Sequence, residues 1–178
     1  MNEEPEYKPK LSVALDGIVR FIGELTSWLC ILLVAAIIVQ VILRYVFGHG
    51  LVVLEELQWH FYGIMIMIAI PYGVITDAHI RLDLLHSRFS QRTKEKVEIL
   101  GIIFLLLPLI IVIFIHSLDF VADSWRVNER SDAPMGLCCR WAFKSFIPIS
   151  MGLMVIAVVS RLVRAVAFLK KSRLEESE

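Results

Sequence analysis

Glu55 to Leu85, EELQWHFYGIMIMIAIPYGVITDAHIRLDLL, joins an acidic doublet, a long uncharged run and a charged exit. The run from Leu57 to Thr76 is twenty residues without a formal charge. As a helix rising about 1.5 Å per residue it covers the roughly 30 Å hydrocarbon layer of a bilayer. The stretch therefore predicts a membrane-crossing helix with a polar group at each end.

Working outward, three more uncharged runs have the same character. Residues 25–43 hold nineteen uncharged residues closed by Arg44 and Tyr45, a pair suited to the membrane interface. Residues 99–118 hold twenty, and 145–160 hold sixteen, which Arg161 and Arg164 are expected to lengthen to about residue 164 by snorkelling. The expected fold class is an all-α integral membrane protein: four transmembrane helices (25–43, 57–76, 99–118 and 145–164) and an amphipathic N-terminal helix. Residues 1–10 are expected to be a disordered tail without the basic-then-apolar order of an export signal. Residues 11–170 are expected to form one domain, and 171–178 a polar tail.

In that N-terminal helix Leu11, Leu15, Ile18, Ile22 and Leu25 recur at helical spacing, while Asp16, Arg20 and Glu24 form an opposite stripe. It either lies in the interface or extends the first span inward. Pro71, Pro108 and Pro148 each fall inside a span, which predicts three kinked helices packed against protein. Past the third span, Asp123, Arg126 and Arg130 are expected on one side of a continuing helix that breaks at Ser131-Asp132-Ala133-Pro134-Met135-Gly136.

Composition narrows the function. The chain is 57% hydrophobic over 178 residues, and its 18 basic and 18 acidic residues cancel. Its mean hydropathy is +0.71. Neutrality gives no reason to expect a nucleic-acid partner. Three cysteines, Cys30 and the adjacent Cys138 and Cys139, make neither a disulfide framework nor a spaced metal site. The cores of the runs contain no Asp, Glu, Lys or Arg, the usual markers of an ion path, and the chain carries no phosphate-binding glycine loop. It reads as a component of a larger machine. With the termini inside, 13 basic residues fall on the cytoplasmic side and 5 outside, which predicts cytoplasmic termini and outward-facing connections near Gly48 and at 119–144.

Several residues are candidates for more than solvation. Glu55 and Glu56 stand where a helix dipole favours anions, and either cap the helix, pair with Arg44 or meet a basic partner. His60 and His116 lie at similar depth on different helices, as ligands of a haem would. Asp77-Ala78-His79-Ile80-Arg81-Leu82-Asp83 places acid, base and imidazole within seven residues at a membrane exit, an arrangement suited to locking another subunit in place through His79, Arg81 and Asp83.

The acidic doublet opening the second of four spans, the exit AHIRLDLL and the outer segment SDAPMGLCCRWAFKSFIPISMGLM together resemble the small membrane subunit, DctQ-like, of tripartite ATP-independent periplasmic (TRAP) transporters. The resemblance runs from about Leu15 to Arg164, and the Cys138-Cys139 pair departs from the Pro-aromatic pair expected there. It implies a non-enzymatic scaffold in a bacterial inner membrane, without a cofactor of its own. The partners it implies are a large multi-helix permease subunit holding the substrate and sodium sites, a periplasmic substrate-binding protein that delivers an organic anion, and the membrane lipids. Glu55, Glu56, Arg126, Glu129, Arg130, Asp132 and Arg140 are then expected to form or flank the surface on which the binding protein docks. The rival readings are a b-type cytochrome or redox anchor served by His60 and His116, and a free-standing four-helix transporter.

Overall fold

The structure is a computed structural model that describes residues 9–76 and 91–175. Helices α1 (Lys10–Ser27) and α2 (Leu29–Val46) follow one another with only Trp28 between them. A turn at residues 47–51 leads to α3 (Val52–Ile75). After the undescribed connection come α4 (Gln91–Gly101), a π-helical turn (Ile102–Leu106) and α5 (Leu107–Arg126). A loop and the short α6 (Arg140–Lys144) precede α7 (Phe146–Glu175). No strand occurs among the described residues. Four helical segments are long and apolar enough to cross a membrane: Lys10–Val46, Val52–Ile75, Arg92–Arg126 and Arg140–Lys170.

The N-terminal helix extends the first span. At Trp28 the backbone stays right-handed and its N–H reaches the Leu25 carbonyl at 3.3 Å, so the break is one tightened turn. The amphipathic stripe does not mark the packed side, since Arg20 and Glu24 are exposed while Ile22 packs on the core. Leu11, Ile18, Phe21 and Leu25 are exposed, whereas Ser12 and Val19 are fully buried. In hydrocarbon the apolar face has no reason to turn inward, and polar groups gain by finding partners inside the bundle.

α7 is the helix on which α1, α3, α4 and α5 pack, while α2 lies against α3. One cluster joins Val19, Ile64, Ile68, Ile75, Leu153 and Ala157; a second joins Ile102, Ile110, Met151, Met154 and Val158. Small residues permit the approach. A Cβ on Gly23 would lie 2.4 Å from the Tyr72 ring, so α1 and α3 meet at a distance only glycine allows. The Ser150 hydroxyl donates to the Met67 carbonyl at 2.5 Å, linking α7 to α3 where water is absent.

The three prolines differ in effect. Pro71 is buried inside α3, as expected of a mid-span proline. Pro148 falls in the first turn of α7, where a missing N–H breaks no helical bond. Pro108 follows the π-helical turn, in which the Leu107 N–H reaches back five residues to Ile102. That slip sits at the turn a proline would disrupt, so the helix widens one turn early instead of breaking. The three prolines expected to kink their spans thus occupy three different settings: late in α3, just after a π-helical turn, and in the first turn of α7.

Candidate functional site

Polar side chains gather at the two ends of the bundle. At the end holding the α2–α3 turn, Gln40 is buried and sews the turn together. Its amide donates to Glu55 Oε1 at 3.0 Å, and its oxygen accepts the Leu51 N–H at 3.2 Å. Glu55 therefore pairs with Gln40 rather than capping α3 or bonding Arg44: a neutral amide reaches it from within the bundle, and the α3 N-terminus has no side-chain cap. Gly48 makes the turn with φ +70°, a conformation side-chain-bearing residues avoid.

The next residue, Glu56, is half-buried and fastens the long loop. Its Oε2 accepts the Leu137 N–H at 2.6 Å, and its Oε1 accepts the Ser131 hydroxyl proton. The loop closes on itself through Ser131 N–H to the Leu137 carbonyl at 3.1 Å and Arg140 N–H to the Glu129 carbonyl at 3.2 Å. Glu129 in turn takes Lys144 on one oxygen and has Arg140 at 3.6 Å from the other. The Lys144 hydrogen bond is the main reason the Glu129 carboxyl is held below its ordinary range, so this ion pair is formed at neutral pH. Lys144 also lies 3.9 Å from the Phe120 ring centroid, a contact that favours the cation there.

The seven residues expected to form a docking surface thus divide. Glu56 and Glu129 are committed to holding the loop, and Arg140 is partly so. Glu55, Arg126, Arg130 and Asp132 are exposed at the rim, with Arg126 pairing with its neighbour Asp123 at 3.4 Å. α5 ends at Arg126, so Arg130 lies in the loop and does not share a helix side with Asp123, a correction due to left-handed Asn128, which turns the chain away. His79, Arg81 and Asp83 lie outside the described residues.

His60 and His116 do not face one interior. The His60 ring packs on Phe143 with centroids 3.9 Å apart, and its Nδ1 lies 2.5 Å from the Glu56 carbonyl. His116 sits on the exposed side of α5. A haem held between them would need both rings turned to the same cavity, so this chain's residues do not fit that group.

At the opposite end a charged cluster is buried among α1, α4 and α7. Arg161 grips Glu98 with Nε and Nη2, each at 2.6 Å, and reaches Glu95 at 3.2 Å. Arg164 approaches Asp16 at 3.8 Å, and the Ser160 hydroxyl donates to Asp16 at 2.6 Å. Arg161 and Arg164 are 6% and 3% exposed, so the expectation that they snorkel outward is corrected: they point inward because acids on α1 and α4 neutralise them there. Asp16 likewise belongs to the packed face of α1. The sequence carried a signal for this cluster, since Glu95 and Glu98 on α4 and Arg161 and Arg164 on α7 share the three-residue spacing that puts two charges on one helix face.

The family model for the DctQ component of tripartite ATP-independent periplasmic transporters matches residues 13–168, from α1 through most of α7. The chain belongs to this family. No curated protein matches it. The DctQ chain is thus a component of a transporter that works with other subunits, and it has four helices long and apolar enough to cross a membrane.

Proposed function

We propose that this chain is the small scaffold of a sodium-coupled importer, holding the large permease subunit in place and helping a periplasmic binding protein deliver an organic anion, a carboxylate, across a bacterial inner membrane. The carrying observation is the family match over residues 13–168 on a bundle of four candidate spans. The uncharged interiors of those spans leave sodium and substrate sites to the partner. His79, Arg81 and Asp83 are assigned to contact with the large subunit. Reconstituted in liposomes with that subunit and the binding protein, the complex should take up the anion only along an inward sodium gradient. This chain alone should take up none, and uptake by it alone would refute the scaffold reading.

Orientation is part of the same proposal. The 13 to 5 partition of basic residues puts both termini in the cytoplasm and the Glu55–Glu56 end outside. A reporter active only in the cytoplasm should therefore work after Glu178 and stay silent near His49 or Asp132. Signal at either of those two sites would reverse the orientation and, with it, the docking assignment.

A further inference from the structure

Met135 is 89% exposed, more than any other large apolar side chain among the described residues. It is also held in an unfavourable backbone conformation. The Gly136 N–H bonds the Ala133 carbonyl at 3.0 Å, closing a turn of Ala133, Pro134, Met135 and Gly136 in which Met135 has φ +64°. Glycine or asparagine is the usual residue at that third position. The glycine comes one residue later, at 136, where a Cβ would meet the Ser131 side chain at 2.4 Å.

The turn does not yield to the strain, because it is fastened at its base. Ser131 and Leu137 both bond Glu56, and the Ala133 N–H bonds the Ser131 hydroxyl at 3.2 Å. A rigid loop is holding an apolar side chain in water against both backbone preference and hydration. Rigid presentation of one apolar group, ringed by charge, lowers the ordering cost of binding and is the usual form of an interface anchor.

We propose that Met135 is the apolar anchor of this subunit, seated in a pocket of the substrate-binding protein; the proposal rests on the function given above. Exposed Arg130 and Asp132 beside it keep the tip out of hydrocarbon, which favours a water-soluble partner over lipid. The anchor sets how long the partner stays, while the charged rim sets how fast it arrives. One unbranched side chain suits a partner that must leave in each cycle, since its thioether adapts to an imperfect pocket.

The test uses the reconstituted complex and its substrate-loaded binding protein. Met135→Gly removes the side chain and suits the left-handed backbone, so the loop keeps its shape. The binding-protein concentration for half-maximal uptake should rise about tenfold, the loss of one apolar anchor. It should rise equally at low and high salt, whereas Glu55→Lys should act mainly at low salt. A Met135→Gly complex indistinguishable from wild type overturns the anchor and leaves the functional reading intact. A wild-type complex that does not respond to binding protein overturns both. Should the variant assemble poorly, Met135→Cys carrying an environment-sensitive fluorophore, with Cys30, Cys138 and Cys139 replaced by serine, supplies a direct readout. Its emission should shift to the blue on saturation with binding protein, and an unchanged spectrum also overturns the anchor.

Discussion

Arg161→Ala should be among the most damaging single substitutions in this chain, lowering stability by about 3–5 kcal/mol, the effect of leaving the buried Glu95 carboxylate without its base. Glu95 is 6% exposed, and with Glu98 it takes three hydrogen bonds from Arg161. No other cation is bonded to Glu95 among the described residues. Thermal unfolding in detergent should show a loss on the order of 10 °C. Arg161→Lys should recover part of it, because the charge returns without the two-pronged geometry. Combining Arg161→Met with Glu95→Gln and Glu98→Gln should recover more, since the charges then vanish together. A melting temperature for Arg161→Ala within about 1 °C of wild type would mean that α4 is held by packing alone.

The second large effect is expected at the other end. Glu56→Ala removes the acceptor of both the Ser131 hydroxyl and the Leu137 amide, the two hydrogen bonds that fasten that loop to α3 among the described residues. The Leu137 amide should exchange its hydrogen at least about tenfold faster, and protease cleavage should appear between Arg130 and Met135. Glu55→Ala serves as the control, because Glu55 bonds Gln40 across the short turn and leaves the loop alone. Equal exchange at Leu137 in the two variants would show that the loop stands without Glu56. The same comparison bears on docking: reversing the whole doublet would mix a surface effect at Glu55 with loss of the loop at Glu56, so only the single Glu55 variant reports on charge at the rim.

The helices were legible in the sequence because hydrocarbon demands about twenty apolar residues per crossing, and that requirement is written without ambiguity at 57–76 and 99–118. The inward faces were not, because in lipid the apolar side of a helix no longer marks its packed side. Leu11, Ile18 and Leu25 follow helical spacing yet point outward, and Asp16 points in. Arg161 and Arg164 carried the same ambiguity: a base at the end of a span snorkels unless an acid on another helix meets it, and those acids lie 63 and 66 residues from Arg161 and, at Asp16, far further from Arg164. Glu56 was visible as a charge, but its partner was a backbone amide 81 residues on, which no residue type announces. The strain at Met135 was hidden because Pro-Met-Gly reads as an ordinary turn until the position of the left-handed residue is known.

The first span has a consequence for the surrounding bilayer. Lys10–Val46 is 37 residues, roughly 55 Å as a helix, against a hydrocarbon layer of about 30 Å. Gly23 is held against Tyr72, and Asp16 against Ser160 and Arg164, so the surplus turns stay on the bundle instead of trailing free. Its uncharged run, residues 25–43, by itself matches that layer, so the turns carrying Asp16, Arg20 and Glu24 are the surplus and stand at or beyond the boundary. Shorter lipid tails would uncover more of those turns and longer ones would cover more, with Tyr45 near one end and the charged cluster at the other. The subunit thus carries a helical foot outside its hydrocarbon-matching run, and lipid of another thickness would change how much of that foot is covered while α1 stays packed on the bundle.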